Sequence, residues 1–177
     1  MQPRRPPTPP KLPGLDRLFR SAEDCAQLWK LIGCDYKVVQ VSAGTLQGRF
    51  RVDREHGITL VSMLANQSLL LQGSRNPRCL PFTIEHTNNF AEHRHFGEKV
   101  LPNTLGGFNL QMKDSMIRTS PGRHHIAAVL LDRRRVEELS ELGPCGPILD
   151  HLESNNAAIL TPELHQRLRK LMSIPPW

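Results

Sequence analysis

The spacing of hydrophobic residues changes twice along the chain: it is helical near residue 25, alternating through the middle, and helical again after residue 131. The first helix is predicted over residues 21–32, where Ser21 suits the N-cap and Gly33 suits the position after the last turn. Its apolar face consists of residues spaced three and four apart: Cys25, Leu28, Trp29 and Ile32. We expect this face to pack against the rest of the domain.

Short apolar segments separated by turn residues follow between residues 36 and 131. They cover residues 36–41, 45–52, 58–64, 68–72, 80–84, 108–112, 115–118 and 125–131. Glycine, proline, asparagine and serine fill the gaps, as they do in turns that connect strands. About eight short strands in a row predict a sandwich or barrel of mainly antiparallel β-strands.

The segment after residue 131 is predicted to be helical. One helix is expected over residues 133–142, with Asp132 as its N-cap, and a short one over residues 147–152. Together with the first helix, they give the predicted fold class: mainly β with flanking α-helices, in which an antiparallel β-barrel or sandwich is followed by C-terminal helices.

The last helix is predicted to begin at Thr161, with Pro162 in its first turn. Leucines spaced four and three residues apart form a narrow stripe along it: Leu164, Leu168 and Leu171. One interpretation of this stripe is a dimer interface with a second copy of the chain. The other is that the helix packs on the chain's own β-domain.

The net charge of +6 is confined to the two ends of the chain. Residues 1–20 carry five basic side chains and one acidic, and residues 161–177 carry three basic and one acidic. The residues between them carry fifteen of each sign, so the body of the chain is neutral. Because a nucleic-acid-binding domain has a basic surface, we do not expect the body of the chain to bind nucleic acid directly. Binding of nucleic acid through the basic ends is a further alternative.

Residues 1–14 contain six of the fifteen prolines, and proline disfavours both helix and sheet. We therefore predict a basic, disordered leader over residues 1–20. If it docks to a partner, the side chains expected to face that partner are Arg4, Arg5 and Lys11. The alternative is a leader that is only solvated.

The main candidate for metal chemistry is His93-Arg94-His95 followed by Glu98. Histidines two apart on a strand project to one side, and two imidazoles with a carboxylate can hold a divalent metal. The pattern is similar to the cupin metal motif, with one residue fewer before the glutamate. It supports an alternative function, a metal-dependent dioxygenase or isomerase. The competing interpretation is a polar loop with exposed histidines.

Other motifs of catalysis, secretion and membrane insertion are missing from the sequence. No apolar run approaches the roughly 18 residues that a membrane helix needs. The four cysteines are widely spaced without a C-x-x-C pair, which indicates reduced thiols in a cytoplasmic protein. Neither a serine nucleophile motif nor a glycine-rich phosphate loop is found, so we expect neither an enzyme nor a cofactor.

Residues 41–49, Val-Ser-Ala-Gly-Thr-Leu-Gln-Gly-Arg, resemble a recurring turn and strand in the ligand-sensing N-terminal domain of AraC-type transcriptional regulators. Residues 58–61, 66–73, 80–84 and 125–142 resemble the strands and closing helix that follow in that family. The resemblance implies a cupin-like β-barrel that binds a small effector, and helices behind it that dimerise. The chain stops where the family's helix-turn-helix part would begin, which predicts a stand-alone sensor or a piece of a longer protein.

Three segments follow from these patterns: the leader over residues 1–20, a cupin-like β-domain with its N-terminal helix over 21–142, and a helical segment over 143–177. We predict a non-enzymatic sensor or interaction module involved in transcription regulation, with a small-molecule effector or another protein as its partner. It is expected to be a cytoplasmic homodimer. The residues that bind the ligand are not predicted, because alternation separates inside from outside only once the strand register is known.

Overall fold

The structure is a computed structural model that describes residues 14–55, 58–87, 89–141 and 146–173. Most strands follow one another along the chain without a helix between them. The elements in chain order are β1 (Leu15–Phe19), α1 (Ala22–Leu31), β2 (Asp35–Gln40), β3 (Gly48–Glu55), β4 (Ile58–Ala65), β5 (Leu69–Ser74), β6 (Cys79–Glu85), β7 (Arg94–His95), β8 (Glu98–Lys99), β9 (Thr104–Gly106), β10 (Asp114–Arg118), β11 (His124–Asp132), α2 (Arg133–Glu141), α3 (Gly146–Ser154), β12 (Ala157–Ile159) and α4 (Pro162–Leu171).

Two antiparallel sheets contain all the strands of the described residues. The larger sheet has the order β1-β3-β4-β11-β6-β9-β12, and the smaller sheet has the order β2-β5-β10-β7-β8. Neither sheet closes on itself, so the architecture is a sandwich and not a closed barrel. The prediction of a mainly β fold with flanking helices is confirmed.

Alternation along β11 shows how the two faces of the larger sheet differ. Ile126 and Ala128 are buried in the core between the sheets, where residues of both sheets meet. Ala127, between them in sequence, lies on the opposite face with Ile84 and Met172. We call the face between the sheets the inner face, and the face covered by the C-terminal helices the outer face.

Helix α1 confirms the first predicted helix. The Ser21 hydroxyl accepts a hydrogen bond from the Asp24 backbone N–H at 3.0 Å, and Gly33 follows the helix with φ of +82°. The predicted apolar face is buried, and the Trp29 ring meets the edge of Phe50 with ring centroids 5.0 Å apart. Helix α1 therefore contributes to the main core.

The predicted leader, residues 1–20, is wrong in its last residues, because residues 15–19 form β1. This strand pairs with β3 along its whole length, and Phe19 is 1% exposed above Gly48. Leu15 and Phe19 share one face of the strand, but Arg17 takes the position between them on that face and interrupts the apolar alternation. Arg4, Arg5 and Lys11 lie outside the described residues.

The strand predicted over residues 108–112 is also not formed. The chain turns at Gly107, whose φ is +90°, and the Asn109 side chain accepts hydrogen bonds from the backbone N–H groups of Gln111 and Met112. Phe108 is still buried, in a small core that Leu80, Leu110 and Leu152 complete. Phe108 and Leu110 are thus buried, but a turn held by the Asn109 side chain takes the place of the strand.

The C-terminal helices begin where the sequence predicts. Asp132 caps α2 by accepting from the Arg135 N–H at 3.0 Å, and Thr161 caps α4 by accepting from the Leu164 N–H at 3.3 Å. The segment over residues 143–177 is not purely helical, since β12 pairs with β9 and extends the larger sheet. No helix within the described ranges is both long and apolar enough to span a membrane.

Helix α4 packs on the outer face of the larger sheet through one of its three stripe leucines. Leu168 packs against a cluster that includes Met172, and the Arg169 side chain donates to the His86 carbonyl oxygen. Leu164 and Leu171 remain 44% and 78% exposed. Leu168 therefore packs on the chain's own β-domain, whereas Leu164 and Leu171 are exposed.

Candidate functional site

A cavity of about 600 Å³ lies between the inner faces of the two sheets. Its volume is in the range of sites that hold small organic molecules. Its walls are largely apolar and are contributed by both sheets, with side chains that include Val61, Met63, Leu71, Ile117, Ile126 and Leu130. The period of two along these strands places such residues inside, and it also determines which polar residues reach the cavity.

Arg75 is a buried cationic side chain at this cavity. It directly follows β5, is 7% exposed, and lines the cavity. Its Nε donates to Ser115 Oγ at 2.7 Å and its Nη1 to the Gly107 carbonyl oxygen at 2.8 Å. Its Nη2 donates to Asn156 Oδ1 at 3.4 Å. All three acceptors are uncharged.

His95 is held beside Arg75 by the same asparagine. Because a guanidinium group only donates, Asn156 Oδ1 must face Arg75, so Nδ2 is the atom that faces His95. Asn156 Nδ2 donates to His95 Nδ1 at 3.2 Å, which leaves the imidazole proton on Nε2. Burial, with the charge of Arg75, lowers the pKa of His95 to about 4, so the ring is neutral at pH 7.

A second polar group of the cavity joins Glu85 and His93. Glu85 Oε1 accepts from the backbone N–H groups of Thr87 at 3.0 Å and His125 at 3.1 Å. Glu85 Oε2 lies 3.5 Å from His93 Nδ1, and no hydrogen bond joins the two atoms. Burial raises the pKa of Glu85 to about 7 and lowers the pKa of His93 to about 4. Between these two values both groups are neutral.

The cavity has polar atoms that are buried without a hydrogen-bond partner among the described residues. Three of its lining residues carry such atoms on groups discussed above: Glu85 Oε2, His93 Nδ1 and His95 Nε2. The indole Nε1 of Trp29, another lining residue, is also unpartnered. A buried polar group without a hydrogen-bond partner destabilises the folded protein by about 1–3 kcal/mol. Four such atoms around one cavity are therefore unusual for a cavity that binds no ligand.

The interpretation of His93 and His95 as exposed loop histidines is wrong. His93 is 6% exposed, and both side chains line the cavity because β7 pairs with β10 at the edge of the smaller sheet. Glu98 lies opposite His95 in the β7–β8 hairpin, but its side chain is exposed.

The three residues of the alternative metal site are not arranged as one. Across the ranges that the structure describes, no three His, Cys, Asp or Glu side chains are placed to hold a metal ion. His95 is directed by Asn156, whereas His93 faces Glu85.

His124 and His125 lie on opposite faces of β11, as their adjacency predicts. His124 is fully buried on the inner face, and its position contributes to the lowered pKa of His93. His125 lies on the outer face, where its Nε2 is 2.6 Å from Ser62 Oγ. His124 is thus the histidine that the fold adds to the Glu85–His93 group.

Three residues of the site were missed from the sequence: Arg75, Glu85 and Asn156. Glu85 left a signal, because it continues the alternation of Pro81 and Thr83 and so belongs on the inner face of β6. No sequence pattern indicates Arg75 or Asn156, because each lies in a polar connection between two elements. Their importance depends on contacts between distant parts of the chain.

The cysteines of the described residues are free thiols in apolar surroundings. Cys25 and Cys34 are buried and Cys79 is partly buried. Burial raises the pKa of all three thiols, and that of Cys25 to about 12. Because the thiolate is the nucleophile, these residues are poorly suited to nucleophilic catalysis at neutral pH.

No family model, no curated protein and no solved structure matches this chain. The resemblance to AraC-type sensor domains therefore stays a prediction. Apolar walls with a few oriented donors and acceptors are typical of a site that binds and recognises a small molecule.

Proposed function

We propose that this chain is a non-enzymatic sensor that binds a small-molecule effector in the cavity between its two sheets. The observation that carries the proposal is the cavity of about 600 Å³ whose lining residues include buried polar atoms without partners. A ligand that bonds to these atoms removes the cost of leaving them unpaired and fills apolar volume at the same time. Both effects favour the bound state.

The position of Asn156 offers a route from the cavity to the surface. This residue lies between α3 and β12, and its side chain contacts both Arg75 and His95. The chain then continues through β12 into α4, which packs on the outer face. A ligand that displaces or tightens the Asn156 contacts therefore acts on the segment that carries the C-terminal helices.

The proposed sensor works as a homodimer through the exposed leucines of α4. Leu164 and Leu171 lie seven residues apart, on one side of the helix, and the structure buries neither of them. Two copies of such a stripe can cover each other. The proposal places the protein in the cytoplasm, where the free thiols of Cys25 and Cys34 stay reduced.

Nile red binding tests the cavity, because this neutral dye fluoresces strongly only in apolar surroundings. We expect the full chain to bind the dye and Ala128→Phe, on the inner face of β11, to weaken that binding about tenfold by occupying the cavity. Ala91→Phe adds the same ring at an exposed position and should leave binding unchanged.

Circular dichroism of each variant checks the fold, and Ala128→Leu replaces Ala128→Phe if the larger ring prevents folding. Dye binding that is absent, or that both alanine variants leave unchanged, would contradict the proposed cavity site.

A further inference from the structure

We propose that the ligand of the cavity is a monocarboxylate with an apolar body, and that its carboxylate binds between Arg75 and His95. This inference rests on the proposed function and assigns the chemical class of the effector. It depends on the charge of Arg75, on the donors that Arg75 and His95 leave unused, and on the apolar character of the remaining walls.

The first step is the charge. Arg75 is a buried cation, and within the described residues no carboxylate lies within ion-pair distance of it. Asp114, the acidic neighbour that acts on it electrostatically, accepts a hydrogen bond from Ser74 instead. A buried charge is normally paired, since desolvation without a counterion is costly. The cavity that Arg75 lines is thus suited to an anion.

The second step is the set of donors. A guanidinium group has five N–H bonds, and the contacts of Arg75 with Ser115, Gly107 and Asn156 use three of them. One N–H remains on Nη1 and one on Nη2. His95 Nε2 carries a proton, because Nδ1 accepts from Asn156, and it is buried without a partner.

Asn156 contacts both Arg75 and His95, so these unused donors belong to neighbouring side chains that line one cavity. A carboxylate has two oxygens that accept such bonds, and charge-assisted bonds to arginine are stronger than bonds between neutral groups.

The third step is the rest of the wall. Most of the remaining cavity surface is apolar and comes from aliphatic side chains of both sheets, such as Leu71, Ile117 and Ile126. A minority of the lining residues, such as Tyr36 and Thr83, add further polar groups. A sugar or a nucleotide carries many polar groups, and a mostly apolar wall offers too few partners for all of them. An aromatic or aliphatic body matches them, and a single guanidinium balances one negative charge. The combination points to a carboxylate such as an arenoate or a medium-chain fatty acid.

Naphthalene-2-carboxylate and naphthalene-2-carboxamide form a matched pair of probes that differ in charge and hardly in shape. Isothermal titration of the full chain should show the carboxylate binding at least about tenfold more tightly than the carboxamide. Arg75→Gln should abolish this preference. Arg118→Gln removes an exposed positive charge on β10 and should retain it, which controls for net charge.

Arg75→Lys is the second variant in case Arg75→Gln does not fold. It keeps the charge but loses the planar fork of donors, so we expect the preference to fall by several-fold without vanishing. His95→Phe removes the remaining donor and should weaken the carboxylate more than the carboxamide.

The outcomes separate the inference from the proposed function. Equal binding of the two probes, or a preference that Arg75→Gln leaves intact, would overturn the carboxylate assignment. So would failure of both probes to bind a protein that still binds Nile red in the cavity. In each of these cases the proposed function stands, whereas it fails if Nile red does not bind either.

Discussion

Glu85 Oε2 lies 3.5 Å from His93 Nδ1 in the cavity, and neither atom has a hydrogen-bond partner among the described residues. Glu85 ends β6 of the larger sheet and His93 directly precedes β7 of the smaller sheet, so their approach is a consequence of how the sheets face each other. Burial acts on them in opposite directions, raising the pKa of the acid and lowering that of the base. Their protonation is therefore tied to the stability of the fold.

Glu85→Gln should stabilise the protein at alkaline pH. The pKa of Glu85 is about 7 when folded and 4.5 in the unfolded chain, so the folded state binds the proton more tightly. The stabilisation by the protonated form is complete below pH 4.5 and is lost as the pH rises through 7. At pH 8 we expect the free energy of unfolding, measured with urea, to be up to about 3 kcal/mol higher for the variant than for the natural protein.

Glu98→Gln is the matched control for this measurement, since Glu98 is an exposed carboxylate on the neighbouring hairpin. It should leave the pH dependence unchanged. If Glu85→Gln and the natural protein keep the same difference in stability at pH 4.5 and pH 8, folding does not raise the pKa of Glu85 and the expectation is wrong.

His124→Gln should reduce the loss of stability in acid. Burial lowers the pKa of His124 from 6.5 to about 4, so the unfolded chain binds the proton more tightly. The stabilisation by the neutral ring is present above pH 6.5 and is lost as the pH falls through 4. As the pH falls from 6.5 to 4, one such histidine lowers the free energy of unfolding by at most about 3 kcal/mol. The variant lacks this histidine and should not show that loss.

Unfolding free energies at pH 7 and pH 4.5 test this expectation, with His151→Gln as the control because His151 is exposed. His86, His93 and His95 have similarly lowered pKa values, so the natural protein should unfold readily in acid. A natural protein equally stable at both pH values would contradict the burial of neutral histidines.

Leu164→Arg combined with Leu171→Arg should convert the proposed dimer to a monomer without unfolding it. Both leucines are exposed, so the charges disturb only a contact between two copies. Light scattering after gel filtration measures the mass. Leu168→Arg is the contrasting variant: Leu168 packs on the sheet, and we expect it to cost about 1–3 kcal/mol of stability. An unchanged mass of the double variant would exclude α4 as the dimer interface.

Gly48→Ala should release β1 from the edge of the larger sheet. A Cβ atom at Gly48 would lie 2.0 Å from the Phe19 ring, which is 1% exposed and has little room to move. We expect a loss of about 1–3 kcal/mol and faster amide exchange of Leu15–Phe19 than in the natural protein. Gly106→Ala is the control, because its Cβ would meet nothing closer than 3.7 Å. Unchanged exchange in Gly48→Ala would show that β1 tolerates the displacement.

Local patterns predicted the helices and most strands because their causes are local. Ser21, Asp132 and Thr161 cap the helices that follow them, and each cap acts within three residues. The errors occurred where a local signal was weak or ambiguous. Charged neighbours masked β1, and the Asn109 side chain turned an apolar segment away from a strand.

The site was predictable only in part, for a geometric reason. The spacing of His93 and His95 indicates a candidate site, but residues close in sequence do not determine what surrounds the two side chains. His95 accepts a hydrogen bond from Asn156, which is 61 residues away, and His93 lies beside Glu85 of the opposite sheet. What had suggested an exposed loop or a metal site is a set of buried side chains at a cavity.

The sequence by itself determined the mainly β fold, the capped helices and the two-residue period that divides each strand into an inner and an outer face, because these depend on sterics and hydrogen bonds between near neighbours. Only the tertiary structure decided that the inner faces leave a cavity, and that Arg75 meets Asn156 across 81 residues of chain. The packing of the two sheets buries these side chains at one cavity, and burial shifts the pKa values of its ionisable groups.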